Sequence, residues 1–270
     1  MSLSLLIDAI DPAQFGGKAA SLARALRAEL PVPPGFALAA ADVEAIFEDE
    51  AAALEALRTE FRKLSGPCAV RSSAIGEDSE TASFAGQHVT ILNVRHEDRV
   101  ADAVLRVRES AHTESARAYR RTLGMDDAPR VGVVVQRLIE PDCAGVLFTK
   151  NPLTGGDERV IEASWGLGEA VVAGLVVPDN YALDPEGRVL RRTAGEKDLA
   201  LRSAPDGGTV EETIDGDRVT TLCLTDAMLA SLHQLAQRCE RFFGKGLDLE
   251  WAFAGGTLYM LQCRAMTRNR

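Results

Sequence analysis

The chain has 270 residues, 46% of them hydrophobic, which is enough for one large or two closely packed domains with a substantial core. Its 40 acidic and 30 basic residues give a formal net charge of −10, which argues against nucleic acid or an anionic membrane as the main partner. The five cysteines have no CxxC spacing, and no apolar run reaches about 18 residues, so we expect no zinc site, no disulfide framework and a cytoplasmic protein.

Helices and strands alternate along the sequence. In the first half, apolar periodicity and β-branched runs predict helices over 18–30, 42–64 (as one helix or two) and 96–123 and strands over 68–71 and 131–139. In the second half, they predict strands over 143–149 and 160–163, a short helix after 166–169, β-hairpins within 188–221 and an amphipathic helix over 225–243. That last helix has Thr225 or Asp226 as its cap and Gly244 as its stop. We interpret the chain as α+β, with mostly antiparallel sheets in two lobes and a hinge near Gln136.

Several segments of the first half carry residues suited to phosphate. Phe15-Gly16-Gly17-Lys18 places a lysine at a helix N-terminus, where N–H groups and the helix dipole favour an anion, although a cap followed by an exposed lysine fits equally well. Arg71 precedes a serine loop, and Gly86 and Thr90 belong to a second polar loop; both loops could orient phosphate or be ordinary surface loops. Gln136 ends a hydrophobic strand and could present backbone groups to a base.

The most informative segment is a hairpin near the C-terminus. Its apolar residues alternate with polar ones at period two: Leu247, Leu249, Trp251 and Phe253 against Asp248 and Glu250, then Tyr259, Leu261 and Cys263 against Gln262 and Arg264. With an odd loop, Glu250, Gln262 and Arg264 share one face, where a carboxylate and an amide oxygen suit Mg²⁺ and a guanidinium suits phosphate. With a two-residue Gly255-Gly256 turn, Glu250 and Gln262 fall on opposite faces and no site forms. An ordinary exposed face of an edge hairpin would give the same pattern.

In this order the segments resemble the N-terminal nucleotide-binding region of the phosphoenolpyruvate synthase, pyruvate phosphate dikinase and rifampicin phosphotransferase group, which has an ATP-grasp fold. The matching stretches cover essentially the whole chain: GGKAASLARAL, VPPGFALA, AVRSSAIGEDSETASFAGQHVTILNV, VVVQRLIEPDCAGVLFTKNP, IEASWGLGEAVVAGLVVPDNY and DLEWAFAGGTLYMLQCRAMT. The chain departs from the family at Ala265-Met266, where Pro-Ile is usual, and at Leu138, where Met is usual. Neither departure removes a side chain expected to touch phosphate.

The resemblance implies ATP and Mg²⁺ held by two lobes, 1–134 and 135–270. The implied ligand set on the first lobe is Lys18 and Arg71 at the phosphates, with Gly86 and Thr90 nearby. On the second lobe, the resemblance implies Gln136 beside the adenine, Glu250 and Gln262 at Mg²⁺, and Arg264 at phosphate. Lys18, Arg71 and Arg264 are the implied catalytic residues.

The family's phosphate acceptor is a histidine on a swivelling domain that follows the nucleotide-binding region. This sequence ends at Arg270, and none of its four histidines has the Gly-Gly…Ser-His context of that domain. We therefore expect an ATP-dependent phosphotransferase subunit that passes a phosphoryl group to a histidine on a separate phosphocarrier protein, with ATP converted to AMP. A self-contained small-molecule kinase and a non-catalytic ATP-binding regulatory module are the alternatives.

Overall fold

The computed structural model describes residues 3–76, 89–114, 117–118, 121 and 129–266. The chain forms two compact units, each made of several segments. The first unit contains Met1–Arg27, Pro33–Leu138 and Ala204–Gly208; the second contains Ala28–Val32, Ile139–Ser203 and Thr209–Arg270. Both units combine helices with antiparallel sheets, which confirms the expected α+β class.

A five-stranded sheet with the order β1-β2-β5-β3-β4 forms the middle of the first unit. Its strands are β1 (Ser4–Leu5), β2 (Gly35–Leu38), β3 (Cys68–Ala74), β4 (Thr90–Val94) and β5 (Val131–Arg137). Every neighbouring pair runs antiparallel, and β5 lies in the centre, hydrogen-bonded to β2 and β3. The apolar, β-branched sequence of β5 suits this doubly buried position.

Helices pack on both faces of this sheet. They are α1 (Pro12–Arg27), α2 (Ala40–Phe47), α3 (Ala51–Lys63) and α4 (Glu97–Ala111). Val70, Val133 and Val135 point to the core beneath α2, α3 and α4. Because side chains alternate along a strand, the neighbouring residues Arg71 and Val134 belong to the opposite face, against which α1 packs.

The second unit contains a six-stranded antiparallel sheet with the order β13-β12-β6-β7-β8-β9. Its strands are β6 (Cys143–Phe148), β7 (Arg159–Trp165), β8 (Asp179–Leu183), β9 (Val189–Thr193), β12 (Leu247–Ala254) and β13 (Thr257–Ala265). A separate hairpin is formed by β10 (Leu199–Ser203) and β11 (Thr209–Thr213). These hairpins confirm the interpretation of 188–221.

The described part of the second unit has two α-helices, α5 (Glu169–Val172) and α6 (Asp226–Phe243). A short 3₁₀ helix lies at Leu6–Asp8 in the first unit, and another lies at Gly216–Val219 in the second. The amphipathic helix α6 packs on one face of the six-stranded sheet, where Cys239 Sγ lies 3.6 Å from Met260 Sδ. In the part of the chain that the structure describes, no helix combines the length and hydrophobicity needed to cross a bilayer.

Two helix predictions differ from the structure in their bounds. The helix predicted over 18–30 belongs to α1, which spans Pro12–Arg27 and is divided at the non-helical Gly16, so its second piece begins one residue before Lys18 and ends three residues before Leu30. The helix predicted over 96–123 is interrupted, because α4 ends at Ala111; half of the remaining range lies outside the described residues, and residues 114, 117–118 and 121 within it are helical.

Candidate functional site

Lys18 stands at the start of a helical segment that follows a break in α1. Gly16 has φ 81° and ψ 168°, a left-handed φ that glycine adopts without steric cost, and it separates a short first piece from the longer second piece. Gly17 and the half-buried Lys18 open the second piece. Lys18 therefore lies in the first turn of a helix, at the positive end of its dipole.

Arg71 and Thr90 lie side by side on the sheet of the first unit. They are register partners on β3 and β4, so their side chains share a face. This is also the face that α1 covers, and Arg71 is 8% exposed there. The strand register and the position of α1 therefore bring Lys18, Arg71 and Thr90 to the same side of the sheet.

Gln136 is more enclosed than its expected role at adenine suggests. Its register partners are Gly35 on β2 and Ala69 on β3, so its backbone is flanked by strands on both sides. Its side-chain Nε2 donates to the carbonyl oxygen of Pro33 at 3.0 Å, and the residue is 2% exposed. An adenine contact through Gln136 stays a prediction. Gly86 lies outside the described residues.

The C-terminal hairpin has the two-residue Gly255-Gly256 turn, yet Glu250 and Gln262 share a face. Ala254 pairs with Thr257, and regular pairing continues as far as Trp251 with Met260. There the register shifts by one residue, and Glu250 pairs directly with Gln262. The predicted consequence of a two-residue turn was therefore wrong, because a β-bulge adds one residue to β13 and reverses the alternation beyond it.

The bulge also changes which apolar residues of β13 lie on the buried face of the hairpin, so part of the expected assignment was wrong. Cys263 pairs with Leu249 on the buried face, as alternation predicted. Tyr259 and Leu261, which were expected on that face, instead pack with Ala252 on the opposite one. Residues on the two sides of a bulge follow different alternation, so a single period-two pattern cannot assign the whole strand.

Arg264 and Asp248 form an ion pair on the same face as Glu250. Arg264 Nε lies 2.8 Å and Nη2 2.7 Å from Asp248 Oδ2. Burial raises the pKa of the Asp248 carboxyl, the Arg264 guanidinium partly opposes that rise, and the negative charge of Glu250 adds to it. Asp248 thus fixes the orientation of the guanidinium that the sequence assigned to phosphate.

A further carboxylate on this face, Glu162, was missed by the sequence analysis. Val146 on β6 pairs with Glu250 on one side and with Glu162 on the other, so the two glutamates lie two strands apart on one face. Burial, and then the charge of Asp248, raise the pKa of Glu162. The available signal was a single charged residue inside the otherwise uncharged strand predicted over 160–163.

The donor set on this face fits a magnesium ion that also binds phosphate. Glu250 and Gln262 offer two side-chain oxygens from directly opposite positions. Among the described residues, no group of three or more His, Cys, Asp or Glu side chains is arranged to hold a metal. Mg²⁺ typically takes one or two protein carboxylates and completes its shell with water and substrate phosphates, so a small protein donor set suits it. A cation would also relieve the repulsion among these carboxylates.

The chain belongs to the family of the pyruvate phosphate dikinase AMP/ATP-binding domain, whose sequence model matches residues 44–270. This match covers most of both units and includes every candidate site residue except Lys18.

Relatives within this group are longer proteins. A probable phosphoenolpyruvate synthase of Methanothermobacter thermautotrophicus is 34% identical, and the match covers 93% of this chain and 44% of that protein. The rifampicin phosphotransferase of Streptomyces sviceus is 41% identical over 74% of this chain and 23% of its own length. The chain thus spans less than half of each. A dinucleotide-forming acetyl-coenzyme A synthetase 1 from Ca. Korarchaeum cryptofilum aligns structurally with a TM-score of 0.47 and 12% identity, over 93% of this chain and 92% of that one.

Proposed function

We propose that the chain is the ATP-binding part of an ATP-dependent phosphotransferase with an ATP-grasp fold. The observation that carries this proposal is the bulge that pairs Glu250 with Gln262, beside Arg264, in a member of an AMP/ATP-binding domain family.

In this proposal the first unit provides cations for the phosphates. Lys18 contacts a phosphate from the first turn of its helix, and Arg71 contacts a second from β3, next to Thr90. Arg71 is mostly buried, so its charge acts in a medium that screens it less than water does. Positioning and charge stabilisation of this kind provide most of the catalysis in phosphoryl transfer.

The second unit holds the remaining part of the proposed set. Glu250 and Gln262 would bind Mg²⁺, which when bound neutralises negative charge on the transferred group. Asp248 restrains the Arg264 guanidinium in a fixed orientation, which limits the entropy lost when Arg264 contacts phosphate.

We infer that ATP, water and a histidine on a partner protein yield a phosphohistidine, AMP and inorganic phosphate, as in a split dikinase reaction: one of the two phosphoryl groups removed from ATP stays on the histidine and the other leaves as inorganic phosphate. The names of the relatives support transfer rather than binding alone, since they include a phosphotransferase and a phosphoenolpyruvate synthase. The greater length of those relatives supports an acceptor that lies outside the residues of this chain. Such a carrier must leave after each transfer, so we expect a weak interface that buries less than about 1,200 Å².

The test combines nucleotide binding with a transfer assay. Lys18→Ala and Arg71→Ala should weaken Mg-ATP binding in calorimetry or abolish transfer, whereas Lys63→Ala, which removes an exposed cation of the same unit, should do neither. Wild-type protein with γ- and β-labelled ATP and the histidine domain of a longer relative should form an acid-labile phosphoprotein and AMP.

Other outcomes would select the alternatives. Phosphorylation of a small molecule without any partner would identify a self-contained kinase. Mg-ATP binding without transfer to any histidine domain tested would favour a regulatory module. Unchanged binding and unchanged transfer in both the Lys18 and Arg71 variants would refute the phosphate assignment itself.

A further inference from the structure

The glycine turn before Lys18 rests directly on one cross-strand pair of the first unit's sheet. Ser73 on β3 and Gly132 on β5 are register partners on the face that α1 covers. A Cβ atom on Gly16 would lie 1.9 Å from the carbonyl oxygen of Ser73, and a Cβ on Gly132 would lie 2.3 Å from the carbonyl oxygen of Phe15. Both distances are far below contact range, so the turn and the sheet are in close backbone contact there.

Ser73 also caps the helix that carries Lys18. A new helical piece begins after the break at Gly16, and the first amides of a helix generally find no carbonyl acceptor within their own helix. An N-cap side chain usually accepts a hydrogen bond from one of them, but the residue at the break is glycine, which has no side chain. Instead, Ser73 Oγ accepts from Ala19 N at 2.9 Å, across 54 positions of sequence. Ser73 is fully buried, so water does not compete for this bond.

The same serine is placed next to the second proposed phosphate cation. Ser73 and Arg71 are two residues apart on β3, so their side chains lie on the same face. Ala19, whose amide Ser73 accepts, directly follows Lys18. One hydroxyl group therefore links the strand that carries Arg71 to the helix start that carries Lys18.

We propose that Ser73 is a positioning residue for phosphate binding, which fixes Lys18 relative to Arg71 without touching the nucleotide. This rests on the proposed function, in which both cations contact phosphate. Loss of the bond would let the first turn of the helix move away from β3, and a displacement of about 1 Å at a charged contact can lower activity by as much as about 100-fold.

Ser73→Ala tests the proposal, with Ser72→Ala as its matched control. Ser72 is the adjacent buried serine, 1% exposed, and alternation places it on the other face of β3. We expect Ser73→Ala to raise the dissociation constant for Mg-ATP by about tenfold, part of the range that misplacement allows, and Ser72→Ala to change it less than about twofold. Melting temperatures of both variants separate this effect from a general loss of stability, because both remove one buried hydroxyl group.

A double-mutant cycle with Lys18→Ala decides whether Ser73 acts through the lysine. In the Lys18→Ala background, Ser73→Ala should have little further effect on Mg-ATP affinity, whereas independent roles would give additive losses. If Lys18→Ala weakens binding but Ser73→Ala does not, or if the two losses add, the positioning role is wrong and the proposed function stands. If Lys18→Ala and Arg71→Ala both leave binding and transfer unchanged, the phosphate assignment of the proposed function fails, and the positioning role fails with it.

Discussion

Replacing Lys197 by methionine would remove the positive half of a buried ion pair in the second unit. Lys197 Nζ lies 2.5 Å from Asp179 Oδ1, and both side chains are fully buried. The substitution keeps the aliphatic stem and leaves the Asp179 carboxylate with two backbone donors, the amides of Gly195 and Cys223, each at 2.8 Å. Breaking a buried pair by removing one partner costs about 3–5 kcal/mol. Since domains are stable by about 5–15 kcal/mol, we expect a large part of the stability to be lost.

Arg188→Met is the matched control at a pair whose arginine is exposed, while its Asp184 carboxylate is buried. Arg188 Nε lies 2.6 Å from Asp184 Oδ2, and the arginine side chain is 77% exposed. Asp184 likewise keeps two backbone donors, the amides of Glu186 at 3.0 Å and Arg188 at 2.8 Å. Solvent screens this pair, so the control should lose little stability in urea denaturation followed by circular dichroism. Equal losses in Lys197→Met and Arg188→Met would refute the argument from burial.

The neutral double variant identifies charge as the cause. In Asp179→Asn with Lys197→Met, the asparagine oxygen can accept from one backbone amide, but its NH₂ group faces the other donor. One unsatisfied buried donor costs about 1–3 kcal/mol, less than an unpaired buried charge. The double variant should therefore be more stable than Lys197→Met alone. A double variant that is less stable would mean that packing, rather than charge, sets the cost.

Three further predictions concern the site, a hairpin tip and acid stability. Glu250→Gln should lower transfer by about 100-fold in a phosphoryl-transfer assay and change Mg-ATP affinity much less, because the metal's main role is in the transition state. Asn93→Asp should speed proteolysis of the β10–β11 tip, because the Asn93 amide donates to two carbonyl groups there, each at 2.7 Å. Acid should destabilise the protein through His233, whose Nδ1 lies 2.8 Å from Arg159 Nη1 and whose pKa is lowered, first by burial and then by Arg159.

The pH window of the last prediction follows from the direction of that shift. Because the pKa of His233 is lowered in the folded state, the unfolded chain binds a proton first as the pH falls. The contribution of neutral His233 to the free energy of unfolding is therefore complete above pH 6.5 and declines as the pH falls below it. The loss should be smaller in His233→Gln, measured by urea denaturation at pH steps; identical pH profiles would exclude His233. The exposed control for Glu250→Gln is Glu186→Gln, and the exposed control for Asn93→Asp is Asp206→Asn. Equal effects of Glu250→Gln on transfer and on Mg-ATP affinity would contradict the metal prediction. Unchanged cleavage of Asn93→Asp would contradict the prediction for the hairpin tip.

Local signals in the sequence were sufficient for several elements. Helix α6 was predicted almost to the residue, because both of its ends depend on nearby residues. The Thr225 side chain accepts from Met228 N at 3.3 Å, and Gly244 ends the helix with φ 89°. The predicted strands were likewise found within about two residues at most ends, since continuous apolar runs mark buried strands directly.

Features that depend on distant pairing were not visible in the sequence. A fully buried lysine at position 197 contradicts the usual location of lysine at the surface, and only the fold reveals Asp179 as its partner. In the same way, the cap of the helix at Lys18 comes from Ser73, far along the chain, where local patterns show only a missing cap residue at Gly16. Local rules fail at these positions because the compensating group is placed by tertiary structure.

The hairpin shows most clearly why Glu250 and Gln262 could be expected on one face for an incomplete reason. Alternation predicted Glu250 and Gln262 on one face with an odd loop and on opposite faces with a two-residue turn. The observed loop is the two-residue turn, the length for which alternation predicted no site. Loop length fixes the register only while pairing stays regular, and one inserted residue has the same effect on alternation as one extra loop residue. Leu261 is half-buried on the site's face with Tyr259, next to Gln262, which is the arrangement expected where two residues of a bulge oppose one partner. The bulge thus brings the amide of Gln262 opposite the carboxylate of Glu250, and a sequence change that removed the irregularity by slipping β13 one position would separate them without altering either side chain.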